Sequence, residues 1–285
     1  MGISFKEVSH LYPSLKKKEY TIALDNISLD INDKNEFISI VGKTGSGKST
    51  LIQHMNALML PSKGNVYIFD KIITPNKKKN PKLKEVRKRV GFVFQFPEYQ
   101  LFEETVLKDI MFAPLNFGYK EEQAKAKALE IAKLLKIEHL LKKSPFNLSG
   151  GQMRKVAIAG ILSYDPDIIL LDEPTRGLDP KASKDIMDLF YEIHKQTNKT
   201  IIMITHDMNI VYEYSNRVVV MNDSKLVYDG NKIDLFKSDV YKNNHLTKPE
   251  VLKMIDFLNE KLNYNLDYDT YTLDNLLDKV VNKHE

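Results

Sequence analysis

The chain has 285 residues, no cysteine and a formal net charge of +4. This rules out disulfide scaffolds and thiolate metal sites, and the basic excess is too small to indicate nucleic-acid binding. Hydrophobic residues at 42% and charged residues at 28% fit a globular protein with one large core, or one domain plus a small appendage.

Met1–Glu7 lacks the apolar stretch of a signal peptide, and nowhere do about 18 apolar residues run together. Any membrane association is therefore expected to come through a partner. Alternation of apolar and polar residues predicts strands at Ile3–Val8 and Ala23–Ile31, joined by a lysine-rich loop with Lys16–Lys18. Lysines at Lys77–Lys79 and at Lys82, Lys84 and Lys88 read as solvated loop and helix faces, with anionic headgroups as the other reading. Phe37–Val41 is nearly all apolar, the mark of a strand buried on both faces. Strands are further expected in 63–75 and at 90–95, 167–171 and 200–205. Helices are expected over 121–142, from Ser149, and over 181–196. Strands alternating with helices argue for a mostly parallel sheet of the α/β class. Beyond 235, the Thr247–Glu250 capping box opens a helix lined by Val251, Ile255, Leu258 and Leu262. A second short helix at about 272–282 should bury Leu273, Leu276, Leu277 and Val280.

The chemistry concentrates in a few segments. Gly42-Lys-Thr44-Gly45-Ser46-Gly47-Lys48-Ser49 lies between the buried strand and a helix that continues through Thr50, the setting a phosphate-binding loop requires. Its glycines let successive N–H groups face a phosphate, and the following helix adds its positive dipole end. Lys48 is placed to reach the β- and γ-phosphates of ATP, and Ser49 to ligate Mg²⁺. Ile168–Leu171 leads into Asp172 and Glu173; Asp172 suits the Mg²⁺ shell and Glu173 the general base that polarises the attacking water. Gln95 and His206 stand at two more strand ends, as candidate contacts to Mg²⁺ or water and to the γ-phosphate. Tyr12 is a candidate to stack on adenine, or a core tyrosine. The other histidines, His54 and His194 among them, show no metal-ligand spacing and read as surface.

About a hundred residues after the phosphate loop, Leu148-Ser149-Gly150-Gly151-Gln152 opens a helix and forms a second anion-binding end. One nucleotide does not need two such ends from one chain, so a sandwich between two subunits is the economical reading.

These elements, in this order over about residues 3–235, resemble the ATP-binding cassette ATPases. The resemblance implies a head-to-tail dimer with ATP at the interface, the Gly177-Leu-Asp179 turn placing Asp179 where it couples the two sites. Val93–Ile110 and Gly150–Gly160 more closely resemble the ATPases of energy-coupling factor transporters, the second of two paralogous types. That resemblance implies an ATPase domain at 1–235 with an antiparallel β subdomain and a helical subdomain at about 96–162, then a dimerising helical appendage at 236–285. It also implies a paralogous ATPase partner in a heterodimer, a membrane coupling subunit received in a groove after Gln95, and a substrate-binding membrane component. The chain would then sit at the cytoplasmic face of the cell membrane and power uptake of a vitamin or transition-metal ion. The ATPase of another ABC transporter type is the nearest alternative. A soluble mechanoenzyme fits less well, because no coiled coil is inserted and only one cassette is present. Lys43 and Arg176 depart from the family pattern.

Overall fold

The computed structural model describes residues 2–13, 19–268 and 275–278. Six strands form the central sheet in the order β10–β9–β3–β8–β7–β6: β3 is Phe37–Val41, β6 Val90–Val93, β7 Ile168–Asp172, β8 Thr200–Ile204, β9 Arg217–Asn222 and β10 Lys225–Asn231. All neighbours pair parallel except the β9–β10 hairpin. Every side chain of β3, β6 and β8 is buried, as expected of a sheet covered on both faces. The twofold period of a strand divides β7 between two cores. Ile168 and Leu170 face one cluster, together with helix α1 (Lys48–Met55). Ile169 and Leu171 face another, with Met187 and Phe190 of α6 (Pro180–Thr197).

A second, antiparallel sheet, β2–β1–β4–β5, packs over the α1 side; its strands are β1 Ile3–Pro13, β2 Tyr20–Ile31, β4 Lys63–Ile68 and β5 Lys71–Ile73. The first two are longer than expected because they continue through register shifts. At these irregularities Glu7 and Asn26 adopt left-handed φ of 51° and 52°, which breaks the alternation that sequence reading relies on.

Three helices make the helical subdomain: α3 (Val106–Asn116), α4 (Glu121–Leu134) and α5 (Gly150–Leu162). Ala124, Ala128 and Ala132 of α4 sit in its core, and the small side chains let α4 approach its neighbours closely. The helix expected to 142 ends at Leu134, and Lys136 turns the chain with φ 57°. Helix α3 was not expected, because Pro114 lies within it. Proline cannot bond back to the Ile110 carbonyl, and the Ser163 hydroxyl donates to that oxygen at 2.9 Å instead. Helices α2 (Leu83–Arg89) and α7 (Met208–Tyr214), and the β9–β10 hairpin, also went unread.

Two short helices, α8 (Lys232–Lys237) and α9 (Val240–Asn243), lead to α10 (Glu250–Leu262). Val251, Leu252, Ile255 and Leu258 of α10 share a cluster with Val41, Val218 and Val220 of the central sheet. Leu262, expected on that face, is exposed at the helix end. Residues 275–278 are helical; Leu276 is buried, but Leu277, about 100° further round the helix, is exposed. Leu273, Val280 and Lys16–Lys18 lie outside the described residues.

Two histidines read as surface are buried. His54 on α1 donates from Nδ1 to the Thr50 carbonyl at 2.7 Å, packs edge-on against His10, and is pushed by burial to a pKa of about 4, so it is neutral. His194 packs edge-on against Phe37.

Because Leu252 is fully buried within the cluster that joins α10 to the sheet, Leu252→Ala should destabilise the whole chain by about 2–5 kcal/mol. A single shifted urea transition would show this; an unchanged midpoint would mean α10 is not part of the cooperative unit.

Candidate nucleotide site

Parallel pairing brings the carboxyl ends of β3, β6, β7 and β8 to one edge of the sheet. A cleft of about 810 Å³ opens there. It is lined by Tyr12, Thr44, Gly45, Gly47, Lys48, Ser49, Thr50, Gln95, Asp172, Glu173 and His206, all singled out from sequence.

The phosphate loop owes its shape to glycines. Gly42 has φ 139°, and a β-carbon there would lie 2.0 Å from the Met221 carbonyl oxygen. Gly47, with φ 98°, would meet the Ala23 carbonyl at 2.2 Å. Lys48 is 6% exposed and donates to the carbonyls of Gly42 and Lys43 at 2.7 and 2.8 Å. Burial lowers its pKa, against the attraction of Glu173 and Asp172. Gly42 and the buried Ser46 support the loop from behind rather than lining the cleft, and the Ser46 hydroxyl finds no partner among the described residues. Lys43 is exposed and is not among the cleft residues.

Glu173 sits just past β7 with φ 49°. Three side chains converge on its carboxylate. Gln95 Nε2 and Arg176 Nη1 both donate to Oε2 at 2.8 Å, and His206 Nε2 lies 2.9 Å from Oε1. Beside it, burial and the Glu173 charge raise the Asp172 pKa to about 6, although Lys48 and Arg176 oppose the shift. The Ser49 hydroxyl, the Gln95 amide oxygen and the Asp172 carboxylate supply hard oxygen donors in one cleft, the set that Mg²⁺ takes together with phosphates and waters. Among the described residues there is no cluster of three or more His, Cys, Asp or Glu able to hold a metal by itself.

The Tyr12 ring lines the cleft, while its hydroxyl is tied to Thr50 Oγ1 at 3.2 Å and Met59 Sδ at 3.1 Å. The strand register sets Tyr12 opposite Thr21 and so adds Thr21, Ile22 and Ala23 to the wall, which sequence reading missed. Ile22 is exposed there, and nothing in the local sequence marks it as part of the cleft. Thr175, Thr205 and Asp207 were also missed, each beside a residue that was read.

Ser149, Gly150, Gly151, Gln152 and Asp179 do not line this cleft. Ser149 caps α5 reciprocally with Gln152, and Asp179 caps α6 by accepting from the Ala182 N–H at 3.0 Å. A β-carbon at Gly150 or Gly151 would meet nothing within 4 Å.

This fold and cleft define a nucleotide-binding phosphate-loop protein of the α/β class. Residues 24–176 match the ABC transporter family model. The chain is 48% identical over 264 residues to the energy-coupling factor transporter ATP-binding protein EcfA2 of Ligilactobacillus salivarius, covering 92% of this chain and 90% of the relative. It is 49% identical to the Bacillus subtilis protein of the same name, covering 81% and 84%. Among solved structures it is similar to cbiO1 of Clostridium perfringens, part of the ABC transporter complex cbiONQ, with TM-score 0.72 and 33% identity over 89% of this chain and 98% of that one. It is also similar to the dimeric cassette MJ0796 bound to ADP and phosphate, with TM-score 0.70 and 31% identity over 80% and 98%. The chain therefore belongs to the ABC transporter family, among its energy-coupling factor ATP-binding proteins. Among the described residues no helix is long and apolar enough to cross a membrane.

The raised Asp172 pKa has a stability consequence. The folded state disfavours the ionised carboxylate, so Asp172 costs stability above about pH 6; the penalty shrinks as pH falls and vanishes below the unfolded value of 3.8. Asp172→Asn should raise the nucleotide-free melting temperature at pH 8 and leave it unchanged near pH 3.5. The full shift corresponds to about 3 kcal/mol, reduced to about 1–2 because the group faces an open cleft. The same substitution should weaken Mg²⁺-dependent ATP hydrolysis. Melting curves at both pH values, paired with an ATPase assay, check both halves.

Proposed function

We propose that this chain is the second-type ATPase of an energy-coupling factor importer, turning ATP binding and hydrolysis into uptake of a vitamin or transition-metal ion. One observation carries the reading. The phosphate loop from Thr44 to Ser49, oxygen donors for Mg²⁺ and a candidate base meet at the cleft, whereas the Ser149–Gln152 helix start lies outside it, with two glycines the chain's own packing does not demand. That division suits a site completed by a second ATPase, whose signature segment approaches the phosphate held by this chain. The name and length match of the L. salivarius and B. subtilis relatives supports the transporter type.

In this reading Lys48 and the loop amides hold the β- and γ-phosphates, with Tyr12, Thr21 and Ile22 beside the adenine. Ser49, Gln95 and Asp172 hold Mg²⁺, which when bound neutralises charge on the phosphates. Glu173 accepts a proton from the attacking water, and His206 hydrogen-bonds the γ-phosphate. The partners are a paralogous ATPase, a membrane coupling subunit and a substrate-binding membrane component, and the chain is held at the cytoplasmic face of the membrane through them. The exposed Phe96, Tyr99 and Phe102 after Gln95 would offer the coupling subunit an apolar surface.

Glu173→Gln should retain ATP affinity but lower turnover by about 10²-fold or more, leaving an ATP-loaded dimer visible by size-exclusion chromatography. Near-normal turnover in that variant would remove Glu173 from the base role. Affinity purification through this chain from solubilised membranes should recover a second ATPase and a small membrane subunit; recovery of ribosomes or DNA instead would overturn the transport reading.

A further inference from the structure

We propose that Arg154 is a positioning residue for hydrolysis: its buried guanidinium clamps the Gln95 loop and the turn after Glu173 to the helix that begins at Ser149. The proposal rests on the catalytic reading of Gln95 and Glu173.

Arg154 is 4% exposed and lies on α5, just over one turn from its cap. Its donors reach two separate segments, the Gln95–Glu98 loop and the turn after Glu173. Nε and Nη2 form a fork with the two oxygens of Glu98, both at 3.2 Å. Nη2 also donates to the Gln95 carbonyl at 3.3 Å. Nη1 donates to the carbonyls of Arg176 at 3.0 Å and Pro174 at 3.4 Å. The Pro174 carbonyl follows Glu173 directly in the chain. The Arg176 backbone held here carries the side chain that donates to Glu173 Oε2. One planar group therefore fixes the backbone beneath Gln95 and on the far side of Glu173, and both side chains meet at that same oxygen.

Arginine suits this task and lysine does not. A guanidinium offers five N–H donors in a rigid fork, whereas an ammonium is a point charge on a flexible stem that cannot reach a carboxylate and three carbonyls at once. The carbonyls lie at the ends of two different strands, β6 and β7, and no backbone hydrogen bond among the described residues ties these two turns to each other. Any displacement of α5 is consequently carried to both turns at once. The helix start expected to meet a partner's nucleotide is thereby wired to the base of this chain's own cleft. Arg154 touches no reacting atom; it acts through Gln95 and Glu173.

The test compares Arg154→Lys, Gln95→Ala, the double variant and Glu173→Gln, each in the transporter complex purified through a tag on this chain. Arg154→Lys keeps the charge beside Glu98, so its melting temperature should stay close to that of the parent. Its kcat should fall at least about tenfold, since a misplacement near 1 Å costs up to about 10²-fold, while the affinity for a fluorescent ATP analogue stays within about threefold. The double variant should be no slower than the slower single variant, because both changes disable one unit. Unchanged kcat in Arg154→Lys, or losses that multiply in the double variant, would overturn the clamp. So would a parallel fall of kcat, affinity and melting temperature, which is the signature of a merely structural arginine. Glu173→Gln separates the two possible failures. If it turns over normally, the catalytic reading fails; if it is inactive while Arg154→Lys is normal, only the clamp does. Should Arg154→Lys melt early, Arg154→Met combined with Glu98→Gln, which leaves no unpaired buried carboxylate, must show the same split between kcat and affinity.

Discussion

The cleft depends on four strands running the same way. Parallel pairing of β6, β7, β8 and β3 puts four chain reversals on one edge of the sheet, and each delivers one chemical group: Gln95, Asp172 with Glu173, His206, and the phosphate loop. Reversing any one strand would send its group to the opposite edge. The hydrophobic cost of misplacing these strands is large, since β3, β6 and β8 are buried along their whole length. Site geometry is thus enforced by the core, and the loops need only be short.

That economy concentrates charge. Asp172, Glu173 and Lys48 are crowded at the strand ends, where burial raises one carboxylate and lowers the ammonium. Both shifts favour neutral forms over the charged ones needed to hold a cation and a triphosphate. In the proposed site, phosphate and Mg²⁺ would favour the charged forms that burial opposes.

What the sequence disclosed follows the same physics. The phosphate loop, Asp172 and Glu173 were legible because their chemistry demands fixed residue types next to one another. Strands β3, β7 and β8 were legible because burial on both faces leaves uninterrupted apolar runs. By that rule β9, with Val218–Met221, was equally readable and was overlooked. Other features carried no local signal. Register shifts after Val8 hid the end of β1, and Pro114 disguised α3, since its remedy is a serine 53 residues from the carbonyl it serves. Arg154 looked like an ordinary helix residue because its partners lie 56 and 59 residues before it and 20 and 22 after it.

The glycines divide into two physical kinds. Gly42 and Gly47 are dictated from within, since a β-carbon at either would strike a backbone carbonyl of this chain and φ is positive at both. Gly150 and Gly151 meet no such constraint. Each opens α5 with free space around it, and glycine loses more backbone freedom on folding than alanine would. A fold optimised only for its own stability has no reason to keep both. Their smoothness is useful only to something that must come close to the bare backbone at a helix start, where exposed N–H groups and the dipole favour an anion. The nucleotide in this chain's own cleft is not that anion, because these residues do not line the cleft. In the proposed two-subunit site, that anion would be the phosphate held by the partner ATPase, and the cost of the two glycines would be met across the interface.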